Sequence, residues 1–177
     1  MILKLKRTPG IYLVGFMGCG KSTIGRALAE ELGWSFCDLD EEIERREGAT
    51  IGQIFEQRGE AAFREAETAV LRARVRTVAL GQPHVISLGG GALVCEENFS
   101  LVSEHGVTVW IDAPFTVIER RVAAETHRPL ARDPVQLRTL FDARRAAYAQ
   151  ADYRVEAPDD NARGVVEQIL ALPLFRP

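Results

Sequence analysis

Gly15-Phe16-Met17-Gly18-Cys19-Gly20-Lys21-Ser22-Thr23 stands directly behind the apolar run Ile11-Tyr12-Leu13-Val14 and opens a helical pattern that reaches Leu32. A buried strand, a glycine-rich turn and a helix start, in that order, are the context in which such a stretch reads as a phosphate-binding loop. Its glycines let the backbone curl until several amide hydrogens point into one concavity, with no side chain to block a phosphate. The helix adds its positive dipole end, Lys21 a mobile charge, and Ser22 a hydroxyl suited to magnesium. The expectation is a nucleoside triphosphate held by Gly18, Cys19, Gly20, Lys21, Ser22 and Thr23.

Working outward, short apolar runs alternate with longer helical patterns, the signature of a parallel sheet covered on both faces. Five strands are expected, at Ile11–Val14, Ser35–Leu39, Val85–Leu88, Val107–Ile111 and Tyr153–Val155. Helices are punctuated by Gly33, by Thr50 as a cap with Gly59 as a stop, by Gly81 after the stretch Glu60–Leu80, and by Pro114 and Pro134 at helix starts. The 177 residues and 46% hydrophobic content suit one domain with a single core. With 22 Lys and Arg against 25 Asp and Glu, the net charge of −3 offers no general attraction for nucleic acid or an anionic membrane. Lys4, Lys6 and Arg7 precede an apolar run too short for a signal peptide, and no run is long enough for a membrane span, so a cytoplasmic protein is expected. Three scattered cysteines, Cys19, Cys37 and Cys95, make neither a Cys-x-x-Cys pair nor a metal set with His84, His105 or His127.

Chemistry is expected where strands end, since ligands of open α/β sheets bind at the carboxyl edge. Asp38-Leu39-Asp40 closes the second strand, where one carboxylate would hold magnesium and the other would orient or deprotonate an acceptor hydroxyl; Asp40 also stands where it would cap the helix Glu41–Glu47. Gly89-Gly90-Gly91 follows the third strand and suits a surface where backbone amides touch a small ligand. An acidic chain that binds anions needs local guanidinium groups, and Arg64, Arg120, Arg121, Arg128, Arg144 and Arg145 are the candidates. Arg128 lies within the polar stretch 124–134, a candidate closing lid over the phosphates.

Taken together, the phosphate loop with Ile24-Gly25, Asp38-Leu39-Asp40, Ile54-Phe55, Gly59-Glu60, Phe63-Arg64, Gly89-Gly90-Gly91, Arg128-Pro129-Leu130 and Arg144 four residues before Tyr148 closely resemble shikimate kinase through nearly the whole chain. The resemblance implies a three-layer α/β/α P-loop fold, with five parallel strands in the order 2-3-1-4-5, over a single kinase domain 1–177. Within it, an acceptor-binding region would span about 38–69 and a lid about 124–134. It implies ATP-dependent phosphorylation of the 3-hydroxyl of shikimate, with ATP as co-substrate and Mg2+ as cofactor, by a monomer. Ser22 and Asp38 would hold the metal, and Lys21, Asp40 and Arg128 would be catalytic. Arg121 would lie against adenine; Arg64, Arg144 and Gly89, Gly90 and Gly91 would bind shikimate. The chain departs from the family where Arg144-Arg145-Ala146-Ala147-Tyr148 replaces the common Arg-x-Pro-Leu-Tyr, which leaves Arg145 as an alternative to Arg144. The competing readings are a kinase of the same fold for gluconate or a nucleoside monophosphate, and a non-catalytic ligand-binding module.

Overall fold

The computed structural model describes residues 10–124 and 133–175. The predicted residues Arg128, Pro129, Leu130 and His127, and most of the candidate lid, lie outside these. The chain runs β1 (Gly10–Val14), α1 (Lys21–Leu32), β2 (Ser35–Asp38), α2 (Leu39–Glu47), α3 (Ile51–Ala79), β3 (His84–Ser87), a 3-10 turn (Ala92–Val94), α4 (Glu96–Glu104), β4 (Val107–Asp112), α5 (Phe115–Ala124), α6 (Pro134–Tyr148), β5 (Tyr153–Glu156), α7 (Ala162–Leu170) and a last 3-10 turn (Pro173–Phe175). The five strands form one sheet in the order β2-β3-β1-β4-β5, every neighbouring pair parallel. Helices cover both sides of it.

β1 is the pivot of this arrangement. All five of its residues are buried, because strands lie on either side of it and helices above and below. In register it pairs Leu13 with Ser87 of β3 and with Val109 of β4. The chain leaves β1 toward β2 and β3 on one side and later adds β4 and β5 on the other. The strand order therefore reverses at the carboxyl end of β1, where a crevice must open between the diverging connections. The loop Gly15–Gly20 occupies that end.

Local chemistry explains most element boundaries. The Thr50 hydroxyl accepts from the Gln53 amide at 3.2 Å while Gln53 Oε1 accepts from the Thr50 amide at 2.9 Å, a reciprocal cap that starts α3. Gly59, at φ 83° and ψ 172°, breaks the helical path within α3, so two helical segments meet there at a kink, as the sequence led one to expect. Asp133 caps α6 by accepting from the amides of Val135 and Gln136, with Pro134 at the helix start. The Asp38 carboxylate does the same for α2, taking the amides of Asp40 and Glu41. That corrects one expectation: β2 stops at Asp38, Leu39 already belongs to the helix, and Asp38 rather than Asp40 is its cap. Helix α4 has no side-chain cap, whereas Asn161 caps α7 by accepting from the Gly164 amide at 2.9 Å, a signal the sequence offered. His84 and His105 are structural, their Nδ1 atoms hydrogen-bonded to the carbonyls of Gln82 and Leu101 at 3.1 and 2.9 Å.

Candidate active site

The loop after β1 holds Gly18 at φ 76° and Gly20 at φ 100°, both in the left-handed region where a side chain would strain the backbone. Gly20 is the N-cap of α1, so the helix's unpaired amides open into the loop's concavity. Lys21 is only 9% exposed, and its Nζ donates to the carbonyls of Gly15 and Phe16 at 2.9 and 3.0 Å, with the Cys19 thiol at 3.7 Å. The side chain thus folds back along its own loop, close to where phosphates would lie.

From this loop a cleft of about 540 Å³ extends in two directions. At one end it is lined by Asp38, Asp40, Leu88 and Gly90; at the other by Arg121, Ala157, Asp159, Asp160 and Val165. Ser22 Oγ donates a short hydrogen bond to Asp38 Oδ2, so the hydroxyl that opens α1 and the carboxylate that ends β2 meet beside the loop. Asp40, one residue into α2, lines the same cleft although it belongs to a helix rather than a strand. Arg121 at the far end of α5 donates to the Gly18 carbonyl at 2.8 Å, to the Asp159 carbonyl at 2.9 Å and to Asp160. It ties the phosphate loop to the turn after β5, and its hydrogen bond holds the Asp160 carboxyl below the usual carboxylate range.

The three glycines after β3 run beneath four charged side chains. A Cβ on Gly89 would lie 2.8 Å from Asp40 Oδ1 and 3.0 Å from Glu67 Oε1. One on Gly90 would lie 3.3 Å from Arg144 Nη1, and one on Gly91 2.7 Å from Arg64 Nη2 and 3.2 Å from Arg144 Nη2. Absence of side chains is therefore what admits two carboxylates and two guanidiniums around this loop. Arg64 is held by Glu67, Nη1 to Oε2 at 2.8 Å, and by Glu60 on the exposed side at 3.4 Å. Glu67 is 1% exposed and its second oxygen, Oε1, has no hydrogen-bond partner among the described residues. Burial raises its carboxyl above the ordinary value, against the opposing pull of Arg64 and Arg144.

Arg145 takes no part. It makes a bidentate pair with Asp112 at 2.9 and 3.2 Å and lies over the Trp110 ring, facing a separate cavity of about 560 Å³ between β5, α5 and α6. Neighbouring residues on α6 point about 100° apart, so the two arginines cannot exchange places without turning the helix. Arg144 is the one that meets the glycines. Arg120 also stays outside, in an exposed ion pair with Asp160.

Glu67, Tyr148 and the Asp159-Asp160 pair are the site-lining groups that sequence reasoning gave no role. The signal for Glu67 was present: it falls on the apolar stripe Phe63, Val70, Leu71 of α3, where a carboxylate demands a partner, and Arg64 is three residues away. Asp159 and Asp160 follow β5 at the sheet edge where Asp38 ends β2.

Among the described residues no group of three or more His, Cys, Asp or Glu is placed to hold a metal ion. Ser22 and Asp38 offer two hard oxygens side by side, which fits magnesium, an ion that takes one or two protein oxygens and completes its shell with phosphate and water. No helix among the described residues is long and apolar enough to cross a membrane.

A phosphate loop at the switch point of an α/β/α sheet, facing acidic groups at the end of β2, defines a P-loop phosphotransferase, and the comparisons narrow the class. The family described as shikimate kinase matches residues 17–172. A shikimate kinase of Cereibacter sphaeroides is 44% identical over 96% of this chain and 81% of its own length, and one of Persephonella marina 39% identical over 90% and 96%. Among solved structures, the shikimate kinase of Acinetobacter baumannii in complex with shikimate superimposes with a TM-score of 0.86 at 37% identity, covering 96% of this chain and 95% of that one. A gluconokinase of Sinorhizobium meliloti, 22% identical with a TM-score of 0.60, shares the fold alone. The chain belongs to the shikimate kinase family.

Proposed function

We propose that this protein transfers the γ-phosphoryl group of ATP to the 3-hydroxyl of shikimate, giving shikimate 3-phosphate and ADP. The observation that carries the proposal is the meeting of Arg64 and Arg144 at Gly91, with Asp40 on the Gly89 side of the same loop. Two guanidiniums converging on a surface of bare backbone suit a small carboxylate, which they grip by paired hydrogen bonds. A hydroxyl of the same ligand would then face Asp40, across the cleft from the phosphate loop.

The loop amides of Gly18–Thr23 and the α1 dipole take the polyphosphate, and Lys21 exchanges its carbonyl partners for the β- and γ-phosphate oxygens. Arg121 and the turn at Asp159 flank the base. The Asp40 carboxylate accepts the hydrogen bond of the 3-hydroxyl and aims its oxygen at the γ-phosphorus. That oxygen forms its bond to phosphorus as the bond to the β–γ bridging oxygen breaks, and the hydroxyl proton passes to the carboxylate. Ser22 and Asp38 hold Mg2+, which when bound neutralises phosphate charge. Arg128 and the segment 124–134 are assigned as lid, and 38–69 as acceptor region, from the sequence. The protein acts as a single-domain monomer in the cytoplasm, without nucleic-acid or membrane partners.

An ADP-release assay with ATP and magnesium, run across shikimate, quinate, gluconate and nucleoside monophosphates, tests the assignment. Turnover with shikimate at least about 100-fold above the other acceptors is expected, since an anion of another shape cannot pair with Arg64 and Arg144 and at once place a hydroxyl between Asp40 and the phosphate loop. Preference for gluconate or a nucleotide would replace it with another kinase of the same fold, and no turnover with any acceptor would favour a binding module.

A further inference from the structure

Tyr148 is the last residue of α6 and is 2% exposed. Its ring packs against Trp110 of β4, with centroids 6.1 Å apart, and its hydroxyl donates a short hydrogen bond to the Gly90 carbonyl. This is a contact between distant parts of the chain, placed at the middle glycine of the loop around which Asp40, Glu67, Arg64 and Arg144 gather. A triple glycine has no side chain of its own to set its orientation and has more backbone freedom than any other tripeptide. None of the Gly89, Gly90 or Gly91 amides donates to a backbone carbonyl among the described residues. The carbonyls of Gly89 and Gly91 are tied into the following 3-10 turn, accepting from Ala92 and Val94 at 3.0 and 3.1 Å. The Gly90 carbonyl is the one fixed from outside, by Tyr148.

We infer that Tyr148 is a positioning residue of the acceptor site: by holding the Gly90 carbonyl it sets the plane of the Gly90–Gly91 peptide and so aims the Gly91 amide at the bound acceptor. The inference rests on the acceptor assignment made above. In a trans peptide the carbonyl and the next amide point to opposite sides, so fixing one fixes the other. Arg144 lies one helical turn before Tyr148, on the same face of α6, and its guanidinium reaches the same two glycines. Helix α6 therefore presents one charge to the acceptor and one clamp to the backbone beneath it. Burial pushes the Tyr148 hydroxyl well above the ordinary tyrosine range, so it stays a proton donor at any working pH. The hydroxyl bonds to the Gly90 carbonyl and interacts with Arg144, both on the acceptor side, so its loss should act on the acceptor more than on the nucleotide.

Tyr148→Phe keeps the ring and its packing and removes the hydroxyl, with its bond to Gly90 and its interaction with Arg144, so the glycine resonances are what isolate the clamp. Amide resonances of Gly90 and Gly91 in the substrate-free protein, and Michaelis constants for both substrates, decide the matter. The expected result is a shift of those two resonances and a rise of roughly fivefold to tenfold in KM for shikimate, the scale of one buried hydrogen bond, with KM for ATP within about twofold. Unmoved resonances, or two Michaelis constants that rise together, would overturn it. Should Tyr148→Phe melt too early to measure, Trp110→Phe, which loosens the ring without touching the donor, is expected to leave both resonances in place; if it moves them as much, Tyr148 acts only by packing. Turnover of shikimate by the parent protein tests the acceptor assignment separately, because the resonances report on the clamp with no substrate present.

Discussion

Arg64 Nη2 and Arg144 Nη2 lie 2.7 and 3.2 Å from the point where a side chain on Gly91 would begin. Guanidiniums brought this close repel unless negative charge lies between them. Glu67 supplies one buried carboxylate, bonded to Arg64 and attracted by Arg144, against two guanidinium charges. The site is thus arranged to be completed by an anion that arrives with the substrate, and the acceptor's own carboxylate is suited to that part.

Replacing Arg64 by Lys keeps the charge and removes the fork. The KM for shikimate is expected to rise about tenfold or more, the scale of one charge-assisted hydrogen bond, while KM for ATP changes little. Steady-state kinetics with each substrate varied in turn checks this; equal effects on both would mean that Arg64 supports the fold and not the acceptor.

Gly91→Ala brings a methyl group into contact with the ends of two long side chains rather than with backbone. The fold should tolerate it, with melting within a few degrees of the parent, yet both guanidiniums must move. Shikimate affinity measured by calorimetry should fall at least about tenfold, in line with the loss of one charged contact. Unchanged affinity would show that the Arg64–Arg144 spacing does not matter.

Lys21→Ala removes the charge that would meet the transferring phosphoryl group. Turnover should drop by about 100-fold or more, as when a transition-state contact is lost, and stability should fall by about 1–3 kcal/mol as the carbonyls of Gly15 and Phe16 lose their donor. Turnover within about tenfold of the parent, a loss of little more than 1 kcal/mol, would contradict the role.

Glu67 gives a pH signature. Its carboxyl is raised above the ordinary 4.5 by burial, so the folded state holds this proton more tightly than the unfolded chain does. Between the two values the native protein binds more protons, and its stability falls as pH rises through that window. Glu67→Gln lacks this proton. Thermal melts from pH 4 upward should therefore show the parent's advantage over Glu67→Gln greatest at the acid end and shrinking as pH rises past about 4.5. An advantage that grew with pH would mean that the Arg64 pair outweighs burial.

Much of this was legible in the sequence because it depends on local patterns. The order of strand, glycine-rich turn and helix at Ile11–Leu32 fixes where phosphate binds, and the rule that ligands gather at the carboxyl edge located Asp38 and the triple glycine. The strand order matches what the family resemblance implied. The cap of α2 was misjudged by two residues, because Asp38 and Asp40 are equally good caps and only the end of β2 chooses between them. Arg144 and Arg145 were likewise indistinguishable as letters; it is the rotation of α6 against β4 that sends one to the glycines and the other to Asp112. Glu67 had its Arg64 partner within one helical turn, whereas Tyr148 acts through Gly90, far along the chain, which no local window contains.

The most direct test compares shikimate with its methyl ester as acceptor at saturating ATP and magnesium. The ester keeps every hydroxyl and removes only the negative charge that Arg64 and Arg144 are placed to receive. A fall in kcat/KM of about 100-fold or more is expected, the scale of leaving two half-buried guanidiniums without their anion. Phosphorylation of the ester within about threefold of shikimate itself, under 1 kcal/mol of discrimination, would contradict the acceptor site described above.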